Sequence, residues 1–435
     1  MNAWHLGVGV RAPLRSLMWD GFGKPKVSKS EPKSGLPEIP SYSQGSEIVG
    51  IGSGLAGLQV SASVRVGGRE LTGRIHRAAS GPRIGGSLSV WGTVVLLALV
   101  VMSTLAQPTS AISMRVTMTD LGTLGGDQSR AYAVNDAGQV VGVAQMTSRD
   151  YHAFLWKSGV MTDLGTLGGG YSAAYGINEA GQIVGESDGH AFLWDSGVMR
   201  DLGSLGPYSA AYGINEAGQI VGSSDSHAVL WQDGTIRDLG TLGGPFSFAS
   251  SINDAGQITG ASTRTFPAIG DWHPFVWESG TMTDLGGPDV PGGGYSYGFD
   301  INNQGQVVGS GTVRCCRIRG VTDFTTGALL WQSGTIVELG MLKTHNRSPG
   351  SEAFGINDAG QVVGASVARE GGWHAVFWEA GRITDLVDHR IREVRDSEAR
   401  GISDAGWIVG WSATGEILPG PGFEVVTHAV LWTKG

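Results

Sequence analysis

Cysteine is almost missing from this chain: two in 435 residues, adjacent at Cys315 and Cys316. That excludes a disulfide framework and a four-ligand zinc site at familiar spacing. It leaves a vicinal bridge, an intermolecular bridge or two reduced thiols. Charge is sparse too, at 16% of residues, and the formal net charge is −9. Residues 1–111 hold 11 Lys and Arg against 5 Asp and Glu, whereas residues 112–435 hold 19 against 34. The acidic body lacks the basic footprint that nucleic-acid phosphates require, so no nucleic-acid partner is expected. It is equally unsuited to an anionic membrane surface. No motif joins the scattered Asp271, Glu370, His389, Glu416 and Glu424 into a catalytic set. No catalytic residue, metal or cofactor is therefore assigned.

Glycine and tryptophan are abundant instead, with 72 and 14 residues. Glycine at more than twice its ordinary share of about 7% means frequent turns. With 41% hydrophobic residues the chain has enough apolar surface to fold. Many short strands are expected.

No charged residue occurs between Arg83 and Arg115, and the gap contains the apolar run from Val90 to Ala106. Arg74, Arg77 and Arg83 precede it, and small residues follow at Thr104-Leu-Ala106 and Thr109-Ser-Ala111. A basic flank, an apolar run and small residues make an export signal, cleaved or kept as an anchor. Three segments are expected. Residues 1–87 are a basic leader, disordered or absent from the mature protein, 88–111 the signal, and 112–435 the exported body. Any membrane contact would come only through an uncleaved leader. Gly52, Gly54 and Gly57 match a dinucleotide fingerprint, but no Rossmann sheet fits between them and the signal, so the match is read as chance.

From Val116 one pattern recurs seven times. Its first element is Gly176-Ile-Asn-Glu-Ala-Gly-Gln-Ile-Val-Gly185, and its second is His190-Ala-Phe-Leu-Trp194. The third is Asp-Leu-Gly, as at 201–203. Such a period signals a propeller or solenoid. Each unit reads as four short strands with tight turns at Glu179–Gly181 and Asp195–Gly197, which is one propeller blade. The chain stops after His428-Ala-Val-Leu-Trp432, where a fourth strand is due, and the repeats open on an orphan strand at 116–121. Pairing these two closes the ring and removes the open edge. The expected fold is all-β, a seven-bladed propeller.

The His-Ala-Phe triplets at 152–154 and 190–192, with Asp-Leu-Gly-x-Leu-Gly-Gly and Asn-Asp-Ala-Gly-Gln, resemble the HAF repeat family over about residues 116–435. The resemblance implies a bacterial, extracellular repeat protein and no particular activity. Gly327, Ser403 and Trp407 depart from the repeat.

His152, His190, His227, His273, His374 and His428 take one position per blade, too widely spaced for one metal. They are expected to bond a neighbouring strand, with the repeat Asp as partner. Trp156, Trp194, Trp231, Trp277, Trp331, Trp378 and Trp432 are expected to pack between blades. The connection between the second and third strands varies from 4 to 17 residues, and insertions on one rim mark a binding face. Tyr151, Trp272, Trp373 and Trp411, placed in those rim loops, are the candidate ligand-binding residues. The same set of loops carries Arg314, Arg317 and Arg319. These features point to an exported module that binds a glycan or an extracellular protein. A carbohydrate-active enzyme and a structural surface protein are the alternatives.

Overall fold

The computed structural model describes residues 62–66, 69–73 and 116–434, except 266–270, 289–293, 319–320, 345–348, 370, 388–395 and 419–423. The expected export signal at 88–111 and the glycine motif at 52–57 lie outside the described residues. Within the leader, Ala62–Val66 pairs with Arg69–Gly73 as an antiparallel hairpin. No described helix is long and apolar enough to cross a membrane.

Residues 116–434 form seven four-stranded antiparallel sheets, six of them meanders in sequence order, arranged as the blades of a β-propeller. Blade 2 shows the plan, with strands Ser172–Ile177, Ile183–Ser187, His190–Asp195 and Val198–Asp201. The innermost strands of the other blades are Gly125–Val134, Ser209–Ile214, Ser247–Ile252, Ser296–Ile301, Ser351–Ile356 and Ser397–Ile402. The turn from first to second strand needs a left-handed residue, and Gly181, at φ +79°, supplies it. The turn from third to fourth strand is a two-residue hairpin with both φ angles positive, as at Ser196 (51°) and Gly197 (89°). That mirror-image turn matches the twist of the strands it joins.

Blade 7 is completed by the first strand of the repeat region. Val116–Asp120 pairs with Glu424–Lys434, in register Met118 to Trp432. The orphan strand thus closes the ring.

The core lies between blades. Phe192, Ile183 and half-buried Trp194 of blade 2 pack on Val141, Ala153 and Leu164 of blade 1. Trp277 packs on Val221 and Leu230 of the preceding blade, and Trp432 on Val363 and Phe377. Trp231 and Trp331 also donate their indole N–H to the Gly203 and Gly286 carbonyls of the preceding repeats, at 3.2 and 3.1 Å. A second device stitches the blades. The serine that opens each first strand accepts the N–H of the HAF alanine one blade back, as Ala153 to Ser172 at 2.8 Å. Its own hydroxyl donates to the Asp-Leu-Gly carbonyl, as Ser172 to Gly165 at 2.6 Å. Blade 5 breaks this stitch. Pro274 stands where the alanine should be and has no N–H, and the buried Ser296 hydroxyl has no partner.

The insertions of blades 5 and 7 are largely strand. Val307–Ile318 and Val321–Gln332 form one long hairpin, and Ile408–Leu418 and Glu424–Lys434 another. Cys315 is a half-buried thiol at a bulge in the first of these.

Candidate functional site

The two rims are built differently. On the constant rim, each turn from first to second strand hands a hydrogen bond to the next blade. The Asp136 N–H donates to Glu179 (2.7 Å), Glu179 to Glu216 (2.8 Å) and Glu216 to Asp254 (3.0 Å). Asp254 then donates to Asn303 (2.9 Å), Asn303 to Asp358 (2.8 Å) and Asp358 to Asp404 (2.6 Å). The Ala405 N–H returns to Asp136 at 2.7 Å and closes the circle. Six of the seven acceptors are carboxylates. Asn303 is the exception, and its side-chain amide donates to Asp254 and Asp358, both at 3.0 Å. The amide thus separates two negative charges. Burial pushes Glu179 and Asp404 up from the ordinary range, and neighbouring carboxylates add to it. Asp404 senses Asp254 three blades away, so the circle is narrow enough for charges to repel across it. Behind it, Asn135, Asn178, Asn215, Asn253, Asn302 and Asn357 each donate to the next blade's carbonyl at 3.0–3.2 Å. Ser403 takes this place in blade 7, and its buried hydroxyl has no partner.

The axial channel is lined by two positions of each innermost strand. Tyr297 and Phe299 stack on the same face, with planes 3° apart and centroids 6.2 Å apart. The two positions therefore point the same way. The deeper one carries Tyr132, Tyr175 and Tyr212 in blades 1 to 3, in ring contact at 5.4 and 5.5 Å. It carries Ser250, Phe299, Phe354 and Arg400 in blades 4 to 7. The shallower one, toward the variable rim, carries Arg130, Ala173, Ala210, Phe248, Tyr297, Glu352 and Glu398 in blade order.

These residues form one continuous arc at the channel mouth. Trp272 touches Phe248 (5.6 Å) and Tyr297 (5.9 Å), and Phe299 touches Phe354 (5.8 Å). The Arg400 guanidinium lies 4.0 Å over the Phe354 ring and pairs with Glu398. Glu398 accepts the Trp411 indole N–H at 3.1 Å, and Arg130 lies 5.1 Å over Trp411. The arc runs from an apolar aromatic wall to a charged end. Glu352 sits between the two on blade 6. Its acidity is governed by enclosure and two charges: burial raises its pKa, Glu398 raises it further and Arg400 opposes, leaving it at about 7. No hydrogen bond contributes. Across the channel, Glu186 accepts from the Tyr175 hydroxyl at 3.3 Å.

Two of the four candidate residues, Trp272 and Trp411, are thus brought together by this arc. Tyr151 pairs through its backbone with Tyr171. The Trp373 N–H donates to Asp396 at 3.0 Å, and its ring lies against the Gly350 backbone. None of the four is in a loop. Tyr151, Trp272 and Trp373 open third strands, and Trp411 lies within a second strand. The expectation of rim loops is corrected, because the inserted residues extend the sheet. Asp271 is held by Arg264 and Thr265, both at 2.9 Å. Glu416 is exposed, and Glu424 opens the third strand of blade 7. Glu370, His389 and Arg319 lie outside the described residues.

The repeat histidines face the repeat aspartates across the third and fourth strands. His152 meets Asp163 at 3.0 Å, His227 meets Asp238 at 2.8 Å and His273 meets Asp284 at 2.9 Å. His374 meets Asp385 at 2.9 Å, His428 meets Asp120 at 2.7 Å, and the His190–Asp201 pair is looser at 3.3 Å. Each aspartate also accepts the N–H two residues on, as Gly165 to Asp163 at 2.8 Å. These contacts pin strand to strand and bring no two histidines together. No group of three or more metal-ligating side chains occurs among the described residues.

Glu352, Glu398, Arg400 and the aromatic wall were missed by the sequence reading. Their signal lay in the repeat itself. In Ser-x-Ala-x, the pattern opening each innermost strand, serine is constant and alanine nearly so, and only the two channel-facing positions vary.

No family model matches the chain, and no curated protein matches it. Among solved structures it is similar to the extracellular domain of a hybrid two-component system from B. thetaiotaomicron. That match has 10% identity, covers 73% of this chain and 39% of the other, and has a TM-score of 0.43. TolB from Acinetobacter baumannii matches at 15% identity over 59% of this chain and 63% of its own, with a TM-score of 0.37. The β-propeller domain of the Trilobed protease from Pyrococcus furiosus matches at 12% identity over 72% and 94%, with a TM-score of 0.44.

Proposed function

We propose that this chain is an exported HAF-type repeat protein that acts as a binding module, with its ligand seated at the channel mouth. The observation that carries this reading is the arc from Trp272 to Arg130. It joins an aromatic wall, suited to the apolar face of a sugar ring, to fixed hydrogen-bonding and charged groups. The even spacing of six His–Asp pairs supports the same division of labour. Those pairs hold strands, and the side chains at the mouth vary from blade to blade. A glycan is the ligand this mixture suits best, and an extracellular protein is the runner-up.

A specific observation also favours a second reading, a carbohydrate-active enzyme. Glu352 and Glu398 occupy equivalent positions on adjacent blades. One is pushed toward neutral pH, while the other is held by Arg400 and Trp411. A carboxyl raised toward neutral pH beside a second carboxylate is equipment that acid–base hydrolysis can use.

A glycan array probed with the purified chain and with Trp272→Ala and Trp411→Ala tests the proposal. Binding of a defined sugar that both substitutions weaken at least tenfold is expected. Binding that neither substitution changes would remove the mouth as the site. Release of reducing ends from a bound oligosaccharide, lost in Glu352→Gln, would favour the enzyme.

A further inference from the structure

Glu352 stands apart from every other acid near the channel. Glu398 is paired with Arg400 and bonded by Trp411. Glu186 accepts from Tyr175. Asp300, on blade 5, accepts from the Ser251 hydroxyl at 2.6 Å and from the Ile301 and Ile356 N–H groups at 2.9 Å. Each of these has its negative charge answered by the protein. Glu352 is enclosed by the ring, keeps only a half-buried face toward the channel, and has no hydrogen-bond donor among the described residues. Arg400 acts on it only through space, because its guanidinium is committed to Glu398 and to the Phe354 ring. The trio of Glu352, Glu398 and Arg400 carries one more carboxylate than it has cations.

An enclosed carboxylate without a partner is costly unless something else supplies the charge. The neighbouring position on blade 5 is Tyr297, itself stacked between Phe248 and Phe299. A cation delivered on a carbon body would meet the carboxylate with its charged end and the aromatic wall with its body. A neutral hydroxyl would leave the charge unanswered.

We propose that the channel mouth binds a protonated amine, with Glu352 as its counter-ion and the Tyr297 wall flanking its carbon body. The inference rests on the binding-module reading and narrows it to one ligand chemistry. Amino sugars and lysine side chains share that chemistry, so both are tested.

Isothermal titration of the purified chain with a glucosamine trisaccharide and with a short lysine peptide, each beside its N-acetylated form, is the experiment. Binding of one amine form is expected, lost on acetylation, and that form identifies the source. Because Glu352 must ionise, affinity should rise about 15-fold between pH 5.5 and pH 7. Glu352→Gln should abolish both the affinity and its pH dependence. Tyr297→Leu should weaken binding equally at both pH values, which separates loss of the wall from loss of the charge. Equal binding of acetylated and free forms would overturn the proposal, as would unchanged affinity in Glu352→Gln. So would no binding by either amine, and in each case the array result still decides the binding-module reading.

Discussion

At the constant rim, seven turns of nearly one sequence each hold the next in an unbroken circle, and the Asn row behind it lapses at Ser403. At the channel mouth, the same seven innermost strands carry alanine, aromatic, acidic and basic side chains at a single position. Both rims belong to the same blades, so the contrast is not one of scaffold. The turn-to-turn hydrogen bonds and the Asn stitches leave no freedom at the constant rim. The channel-facing positions take no part in those stitches and can change without loosening the ring. That is where a repeat protein can specialise, and in this chain blades 4 to 7 and blade 1 have done so.

The comparison can be broken most sharply at Asn303. Asn303→Asp places a seventh carboxylate in the circle and removes two amide donors to Asp254 and Asp358. A loss of about 2–4 kcal/mol at pH 7 is expected, from hydrogen bonds to charged groups and like-charge repulsion. Urea unfolding at pH 7 and pH 4 checks it, and the penalty should shrink at the lower pH as the carboxylates protonate.

Glu352 gives the matching test at the mouth. Its folded-state pKa, about 7, lies above the ordinary 4.5. The folded chain therefore holds the proton more tightly than the unfolded one, and stability falls as pH rises between these values. Above about pH 7 the penalty is fully present, and below about pH 4.5 it is gone. About 3 kcal/mol is involved by linkage. Melting temperatures measured from pH 4.5 to 8 should decline across this window in the natural chain and stay flatter in Glu352→Gln. Identical profiles would mean that Glu352 does not titrate there.

The stitching serines sharpen the comparison at smaller scale. Ser172→Ala leaves the Ala153 N–H and the Gly165 carbonyl without their partner, at a cost of about 1–3 kcal/mol. Ser296→Ala removes a hydroxyl that already has no partner, and its effect should stay within about 0.5 kcal/mol. Equal losses in thermal unfolding would mean that Pro274 does not break the stitch.

Much of this architecture is legible in the sequence because it repeats. Five copies of Asn-x-Ala-Gly-Gln and two variants of it, with seven versions of the HAF element, mark strands, turns and their count, and the orphan strand at Val116 shows how the ring closes. Insertions in blades 5 and 7 are visible as length, but not as strand, since a gap between motifs carries no hydrogen-bonding pattern. The site was only half legible. Trp272 and Trp411 stand out as large aromatics near insertions. Glu352, Glu398 and Arg400 sit inside the most regular strands, where a charged residue reads as a solvated face. Only the ring geometry turns those positions inward, where enclosure changes what a carboxylate does.

The closing strand has a consequence for how the molecule comes into being. Asp120 and His428, joined at 2.7 Å, are 308 residues apart in sequence. The entropy of closing so long a loop grows only slowly with length, but the search for the contact is slow. In a chain made from its N-terminus, the first propeller strand to emerge is the last to find its partner. Blade 7 stays one strand short until synthesis reaches Lys434. During that interval Val116–Asp120 is an unpaired edge, and its alternating Thr117, Thr119 and Asp120 make it a poor template for another chain's strand. Assembly therefore ends at a seam between the first and the last strands of the propeller.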